Sequence, residues 1–147
     1  MSSKRDTQLS VEAAKVLLRG VRLRCTAARI AIVQRLADAS TPASPAELAG
    51  ALSAFGFDKS TIYRSLTELH EAGLVVRLDL GDSIRRYELL AVDNTGSSEH
   101  AHFMCVNCGQ VQCLSHYRFE LTGDDASDPF PGSISEVFLK GHCESCR

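Results

Sequence analysis

Residues 44–90 read SPAELAGALSAFGFDKSTIYRSLTELHEAGLVVRLDLGDSIRRYELL, and this stretch decides the fold class. Ser44-Pro45-Ala46-Glu47 is a capping box with proline at the first helical position. Gly56 lies past the end, so a short helix is expected over 44–54. A second helix is expected over 59–72: Ile62, Leu66 and Leu69 form one apolar stripe, Asp58 and Ser60 are N-cap candidates, and Gly73 stops it. Two strand-like runs follow, Leu74–Leu80 and Ile84–Leu90, joined across Gly81-Asp82-Ser83, a hairpin signal.

Upstream, residues 10–19 predict a helix capped by Ser10 and stopped by Gly20. Thr26 to about Asp38 predicts another, with Ile30, Val33 and Leu36 at helical spacing. Helices followed by a hairpin make a winged helix-turn-helix. Downstream, Asp93–Ser98 is polar and turn-rich and reads as linker. Ala101–Val106 and Gln110–Leu114 read as strands around a CxxC turn, and a helix is expected to begin within 115–121. Gly123–Gly132 reads as loop, and residues 134–140 as a strand leading into a second CxxC. The class is therefore α+β, with a winged-helix DNA-binding domain over 1–91 and a second domain over 92–147.

The bulk numbers agree with two small soluble domains: hydrophobic residues make up 44% and charged residues 23%. No apolar run is long enough for a membrane span. Met1–Ser10 has no apolar core, so a secretory signal is not expected and a cytoplasmic location is. Net charge is −2, but its distribution is uneven. Residues 1–92 hold 13 Lys/Arg against 10 Asp/Glu, and residues 93–147 hold 3 against 8. Between Lys15 and Arg35 lie six basic residues and no acidic one. A basic front suits a phosphate-facing side, although a solvated face would read the same way.

On the helix over 59–72, the face opposite the apolar stripe carries Thr61, Tyr63, Arg64 and Thr67. These are residue types that reach phosphates and base edges from the major groove. Lys59 and Ser60 open that helix, whose N-terminus would favour a phosphate. Arg22, Arg29, Arg77, Arg85 and Arg86 are further candidate DNA contacts, with solubilising surface charge the alternative for the wing arginines.

Six cysteines stand at 25, 105, 108, 113, 143 and 146. Cys105-Val-Asn-Cys108 and Cys143-Glu-Ser-Cys146 are two knuckles separated by 34 residues. Each puts two thiolates on one side of a tight turn, and together they can close a tetrahedron around Zn2+. Such a site has no open coordination position, so its role is structural, contributing folding free energy of order ~10 kcal/mol. The competing reading is a redox CxxC, which needs a reactive thiol beside a base. No Ser/His/Asp or phosphate-loop motif appears, so no enzyme and no organic small-molecule substrate are expected. A winged helix that binds protein rather than DNA is the other alternative.

Together these features resemble the ferric uptake regulator family. The matching stretches are Leu23–Arg29 (LRCTAAR), Ser60–Val75 (STIYRSLTELHEAGLV), Arg86–Leu89 (RYEL), His100–Gly109 (HAHFMCVNCG) and Gly141–Cys146 (GHCESC). The resemblance spans about residues 12–146. It implies a homodimeric repressor, with a C-terminal α/β dimerisation domain, that binds an inverted-repeat operator in double-stranded DNA when a second divalent metal (Fe2+, Zn2+ or Mn2+) is bound. His100 and His102 point the same way on a strand and, with the resemblance, become ligands of that ion. The resemblance adds Glu88 as a hinge carboxylate. It also adds Cys113, at a place where relatives often carry a carboxylate and where a thiolate would favour zinc.

The chain departs from the family pattern in several places. The loop Ala39–Ala43 lacks the histidine that many relatives carry, and His70 is a conceivable substitute. Val76 and Leu90 stand where zinc-sensing relatives place ligands. A further family site could draw on Glu99 and Glu120, but Ala101 and Ser135 cannot serve it, so that site is expected to be degraded. His116 is a weaker candidate ligand, His142 is expected at the surface, and Cys25 in the core. With one ligand apparently lost, a relative answering to peroxide or another signal, with little metal dependence, is the alternative.

Overall fold

A computed structural model describes residues 8–39, 41–90, 101–114, 116–125, 130–134 and 136–147. The chain divides into two compact units, Met1–Val92 and Asp93–Arg147. Among the described residues, no helix is long and apolar enough to cross a membrane.

The first unit holds α1 (Val11–Gly20), α2 (Ala27–Asp38), α3 (Pro45–Ala51), a 3-10 turn (Ser53–Phe55), α4 (Lys59–Glu71), β1 (Val75–Asp79) and β2 (Arg85–Leu89). Each helix starts where a side-chain oxygen takes up an orphan backbone N–H. Ser10 accepts from Ala13, Thr26 from Arg29, Ser44 from Glu47 and Asp58 from Thr61. The α3 helix is shorter than the expected 44–54: it ends at Ala51, the chain tightens into the 3-10 turn, and Gly56 closes it in the left-handed region at φ 77°.

Ala14, Leu18, Ile32, Val33, Leu36, Leu48, Leu52, Ile62, Leu66, Leu69, Leu74, Val75 and Tyr87 form one buried cluster. In α2 the buried set is Ala28, Ile32, Val33 and Leu36, and Ile30 is only half-buried at the edge of the core. The β1–β2 hairpin is antiparallel, with Val75 opposite Leu89 and Asp79 opposite Arg85. Ala43 adds a third rung to this wing: it and Tyr87 exchange backbone hydrogen bonds of 3.0 and 2.8 Å. That bridge ties the entrance of α3 to the wing and was not visible in the sequence pattern.

The second unit is a three-stranded sheet in the order β4-β3-β5, built from β3 (Ala101–Cys105), β4 (Val111–Leu114) and β5 (Phe138–Gly141). β3 pairs antiparallel with β4 and parallel with β5. The strand expected over 134–140 starts only at Phe138. No helix begins at 116–121, and the described residues of this unit contain none. Tyr117, Phe119 and Leu121 repeat every second residue, a period that cannot gather them on one helix face. Gly141 lies where a Cβ would come within 3.2 Å of the Phe103 ring, so the bare backbone there lets β5 approach β3 closely.

Leu66 is fully buried at the centre of the α4 packing face. Leu66→Ala is expected to cost ~2–5 kcal/mol through lost burial and cavity formation, read as a lower urea midpoint at unchanged slope.

Candidate metal centre and nucleic-acid interface

The parallel pairing of β3 and β5 builds the first site. Cys105 ends β3 directly beside Gly141, which ends β5, and both strands run the same way. The two CxxC knuckles therefore leave the sheet at the same end, although 34 residues separate them in sequence. Val106 N–H donates to the Gly141 carbonyl at 2.9 Å, stitching one knuckle to the approach of the other. Each knuckle is closed by its own turn: Gly109 N–H donates to the Cys105 carbonyl, and Cys146 N–H to the Cys143 carbonyl, both at 2.9 Å. Gly109 stands at φ 74°, as that turn requires.

The sulfurs of Cys105, Cys108, Cys143 and Cys146 all lie within 4.8 Å of one another. Cys108 Sγ and Cys143 Sγ are 3.8 Å apart. A tetrahedron with zinc–sulfur bonds of about 2.3 Å has an edge of about 3.8 Å, so this spacing fits zinc, whereas a disulfide needs about 2.05 Å. The backbone N–H groups of Cys108, Cys143 and Asn107 point at the Cys105 sulfur and bring its thiol down to about 6. For Cys146, the Asn107 side chain favours the thiolate, but the neighbouring cysteine sulfurs and burial outweigh it and push the thiol up to about 11. Cys108 is raised as well, the pull of the Gln110 backbone being overcome by the Cys105 and Cys143 thiols and by burial. Thiols at Cys108 and Cys146 that neighbouring sulfurs hold protonated are what a cluster shows when a divalent cation supplies the missing charge. The four cysteines fit a structural Zn2+, and the redox reading of the CxxC pairs loses to this geometry.

The second feature lies on the same sheet. His102 and Cys113 are register partners on β3 and β4, and their ligand atoms lie within 4.8 Å of each other. His102 is buried and Cys113 half-buried. His100 and Glu99 lie outside the described residues. Glu88 is half-buried on β2, opposite Val76. The His70 ring Nδ1 lies 3.3 Å from the Val75 carbonyl, and His116 and Glu120 are exposed. Among the described residues, none of these last three joins a cluster of three metal-binding groups. His142 is exposed. Cys25 is half-buried at the core edge, with Sγ 3.7 Å from the Lys15 carbonyl.

The third feature is the outer face of α4. Lys59, Ser60, Tyr63, Arg64 and Thr67 are exposed and Thr61 is half-buried, opposite the buried Ile62, Ser65, Leu66 and Leu69. Ser60 is not the cap; its hydroxyl donates to Asp58 Oδ1 at 3.0 Å. The Asp58 carboxylate accepts from Thr61 and Ser60 and is held below its usual range by those bonds. A carboxylate thus caps the α4 N-terminus. α3 and the start of α4 border an open groove of about 520 Å³ that Phe57, Lys59 and Tyr63 help to line.

Two of the predicted DNA-contacting arginines are engaged within the unit. Arg86 is buried, and its guanidinium grips both oxygens of Asp82 at 3.0 and 2.7 Å, clamping the wing turn. Arg29 pairs with Glu68 of α4 and donates to the Arg24 carbonyl, so it locks α2 to α4. Both hold elements of the first unit in place. Arg29 and Glu68 are 39 residues apart, so no linear spacing marks them as a pair, whereas Asp82 and Arg86 are four apart across the wing turn. Arg22, Arg77 and Arg85 remain exposed, with Arg22 in a turn at φ 61°.

The profile of the ferric uptake regulator family matches residues 20–127. The chain is 28% identical over 92 residues to the ferric uptake regulation protein of Yersinia pestis, an overlap that takes in 60% of this chain and 59% of that one. It is 35% identical over 52 residues to the peroxide operon regulator of Bacillus subtilis, covering 35% of this chain and 32% of the other. Its fold is similar to the ferric uptake regulator of Pseudomonas aeruginosa solved with manganese: TM-score 0.60 and 27% identity, across 89% of this chain and 98% of that one.

Zinc binding must displace protons from Cys108 and Cys146, and below about 6 from Cys105 too. Zinc affinity is therefore expected to fall as pH falls, and more steeply once pH drops below about 6. Competition against a chromophoric chelator across that range measures it, and Cys143→Ser should remove the tightly held zinc altogether.

Proposed function

The chain belongs to the ferric uptake regulator family, and from that footing we propose that it is a metal-responsive transcriptional repressor that binds an inverted-repeat operator in double-stranded DNA as a homodimer. The observation that carries this reading is the pairing, in one chain, of a winged helix with a free polar face on α4 and a sheet closed by a four-thiol cluster. Members of this family are regulators of transcription rather than enzymes.

On this reading Tyr63, Arg64 and Thr67 enter the major groove, while Lys59, Arg77 and Arg85 contact phosphates. Arg29 and the Ala43–Tyr87 bridge hold α4 and the wing at a fixed angle to each other. Two such helices in a dimer read half-sites separated by a helical turn of DNA or a multiple of it. The second unit supports dimerisation by what it leaves uncovered: Val106, Tyr117, Phe119, Leu121, Phe130 and Ile134 are all exposed. So large an apolar display in a small unit is the surface a partner copy covers.

The proposed regulatory ligands are His100, His102 and Cys113, joined by Glu88 as the resemblance implies. A divalent ion bound there supplies a charge-neutralising tie among imidazole, thiolate and carboxylate groups. An ion that binds the DNA-competent arrangement more tightly would make occupancy and operator binding mutually dependent, a coupling of typically ~1–3 kcal/mol per linked site. One relative carries a peroxide-regulator name. The buried imidazole facing a thiol in this chain favours the metal reading.

Replacing both His100 and His102 by alanine should abolish metal-dependent operator binding, followed by fluorescence anisotropy, while leaving a folded, zinc-containing dimer. Operator binding that still answers to metal would overturn the ligand assignment. Arg64→Ala should weaken operator affinity by ~1–3 kcal/mol at fixed salt, the cost of losing one base-edge contact; unchanged affinity removes Arg64 from the interface.

A further inference from the structure

We propose that Cys113 and His102 form a preset nitrogen–sulfur half-site that makes the regulatory position selective for zinc over manganese and iron. This deepens the regulatory reading above and rests on it. The inference starts from strand register. His102 lies directly opposite Cys113 in the antiparallel β3–β4 pair, so both side chains stand on one face of the sheet. The His102 N–H is turned toward β5 and donates to the Val137 carbonyl at 3.1 Å. On the β4 side, Cys105 N–H donates to the Gln110 carbonyl at 2.9 Å, and pairs of the two kinds alternate from there. The 102–113 pair is therefore of the non-hydrogen-bonded kind, in which facing Cα atoms come closest, to about 4.5 Å. The ligand atoms lie within 4.8 Å of each other, near enough to share one ion.

The surroundings suit a soft, partly dehydrated ion. The next pair on the same face is Met104 opposite Val111, and both are buried. One side of the half-site is thus an apolar wall. Thiolate with imidazole in such a setting suits zinc and other sulfur-tolerant ions, whereas manganese and magnesium are best served by oxygen donors. The pair is also preset. β3 and β4 are the two arms of the Cys105–Cys108 knuckle, so the turn that shapes the four-thiol cluster fixes the register that sets His102 against Cys113. A slip of one residue would carry Cys113 to the opposite face.

The test uses the full chain isolated with its four-thiol site filled by zinc, and cobalt as the probe ion. One equivalent of cobalt should bind as the second metal, with a near-ultraviolet thiolate-to-cobalt charge-transfer band, while the zinc content stays constant. In Cys113→Ser that band should disappear with the zinc retained, which shows that the sheet is intact. The preference for zinc over manganese, from competition titrations, should fall by on the order of 10–100-fold, the scale on which groups supporting a metal site change its affinity. Cys113→Asp should shift the preference further toward manganese. Cobalt that binds without a thiolate band, with unchanged selectivity in both variants, overturns the role of Cys113 while leaving metal regulation standing. No bound cobalt at all, with operator binding indifferent to metal, overturns the proposal and the regulatory reading together.

Discussion

The second unit depends on one constraint: four cysteine sulfurs are held within 4.8 Å of one another at the end of a small sheet. Parallel pairing of β3 with β5 brings the two knuckles to the same edge, and the 3.8 Å separation of Cys108 and Cys143 sulfurs matches the edge of a zinc-centred tetrahedron. The sheet itself has little else to hold it. Among its described residues the buried side chains are few, chiefly Ala101, His102, Met104, Cys105, Val111 and Cys143, and a core of that size cannot offset the conformational entropy of the chain it orders. Metal binding free energy becomes folding free energy in such a unit. The β3–β4 register, and with it the opposition of His102 and Cys113, follows from that closure.

The first unit is stabilised differently, by a continuous apolar cluster that α1, α2, α3, α4 and the wing all enter. Its polar interactions position rather than drive the fold. Arg29 to Glu68 spans α2 and α4, Asp82 to Arg86 braces the wing turn, and Ala43 to Tyr87 anchors the wing to the start of α3. Each is partly shielded from water, where a charge-assisted or backbone pair keeps more of its strength than at an open surface. The result is an α4 whose outer face stays polar and exposed while its orientation is held from three sides.

Much of this was legible in the linear chain. Helix starts were readable because Ser10, Thr26 and Ser44 are the residues that satisfy orphan N–H groups, and the α4 stripe because Ile62, Leu66 and Leu69 keep helical spacing. The end of α3 was not, because the 3-10 tightening before Gly56 is a local choice that propensity does not resolve. The segment after β4 misled in the other direction: Tyr117, Phe119 and Leu121 alternate, and the expectation of a helix there gave that period too little weight. For the sites, paired CxxC spacing identified the four-thiol cluster. Basic residue type alone did not separate Arg64 and Arg77, which face solvent, from Arg29 and Arg86, which are clasped by carboxylates.

Local chemistry, then, was determined by the sequence on its own: caps, apolar periods, turn glycines and two-residue thiol spacings depend on neighbours a few positions away, and those neighbours are written next to each other. Tertiary structure decided everything that joins distant positions. It chose the parallel course of β5 along β3, set His102 against Cys113, and assigned Glu68 to Arg29. Those outcomes rest on which strands pair and in what register, a collective free energy of packing and hydrogen bonding that no single stretch of the chain contains.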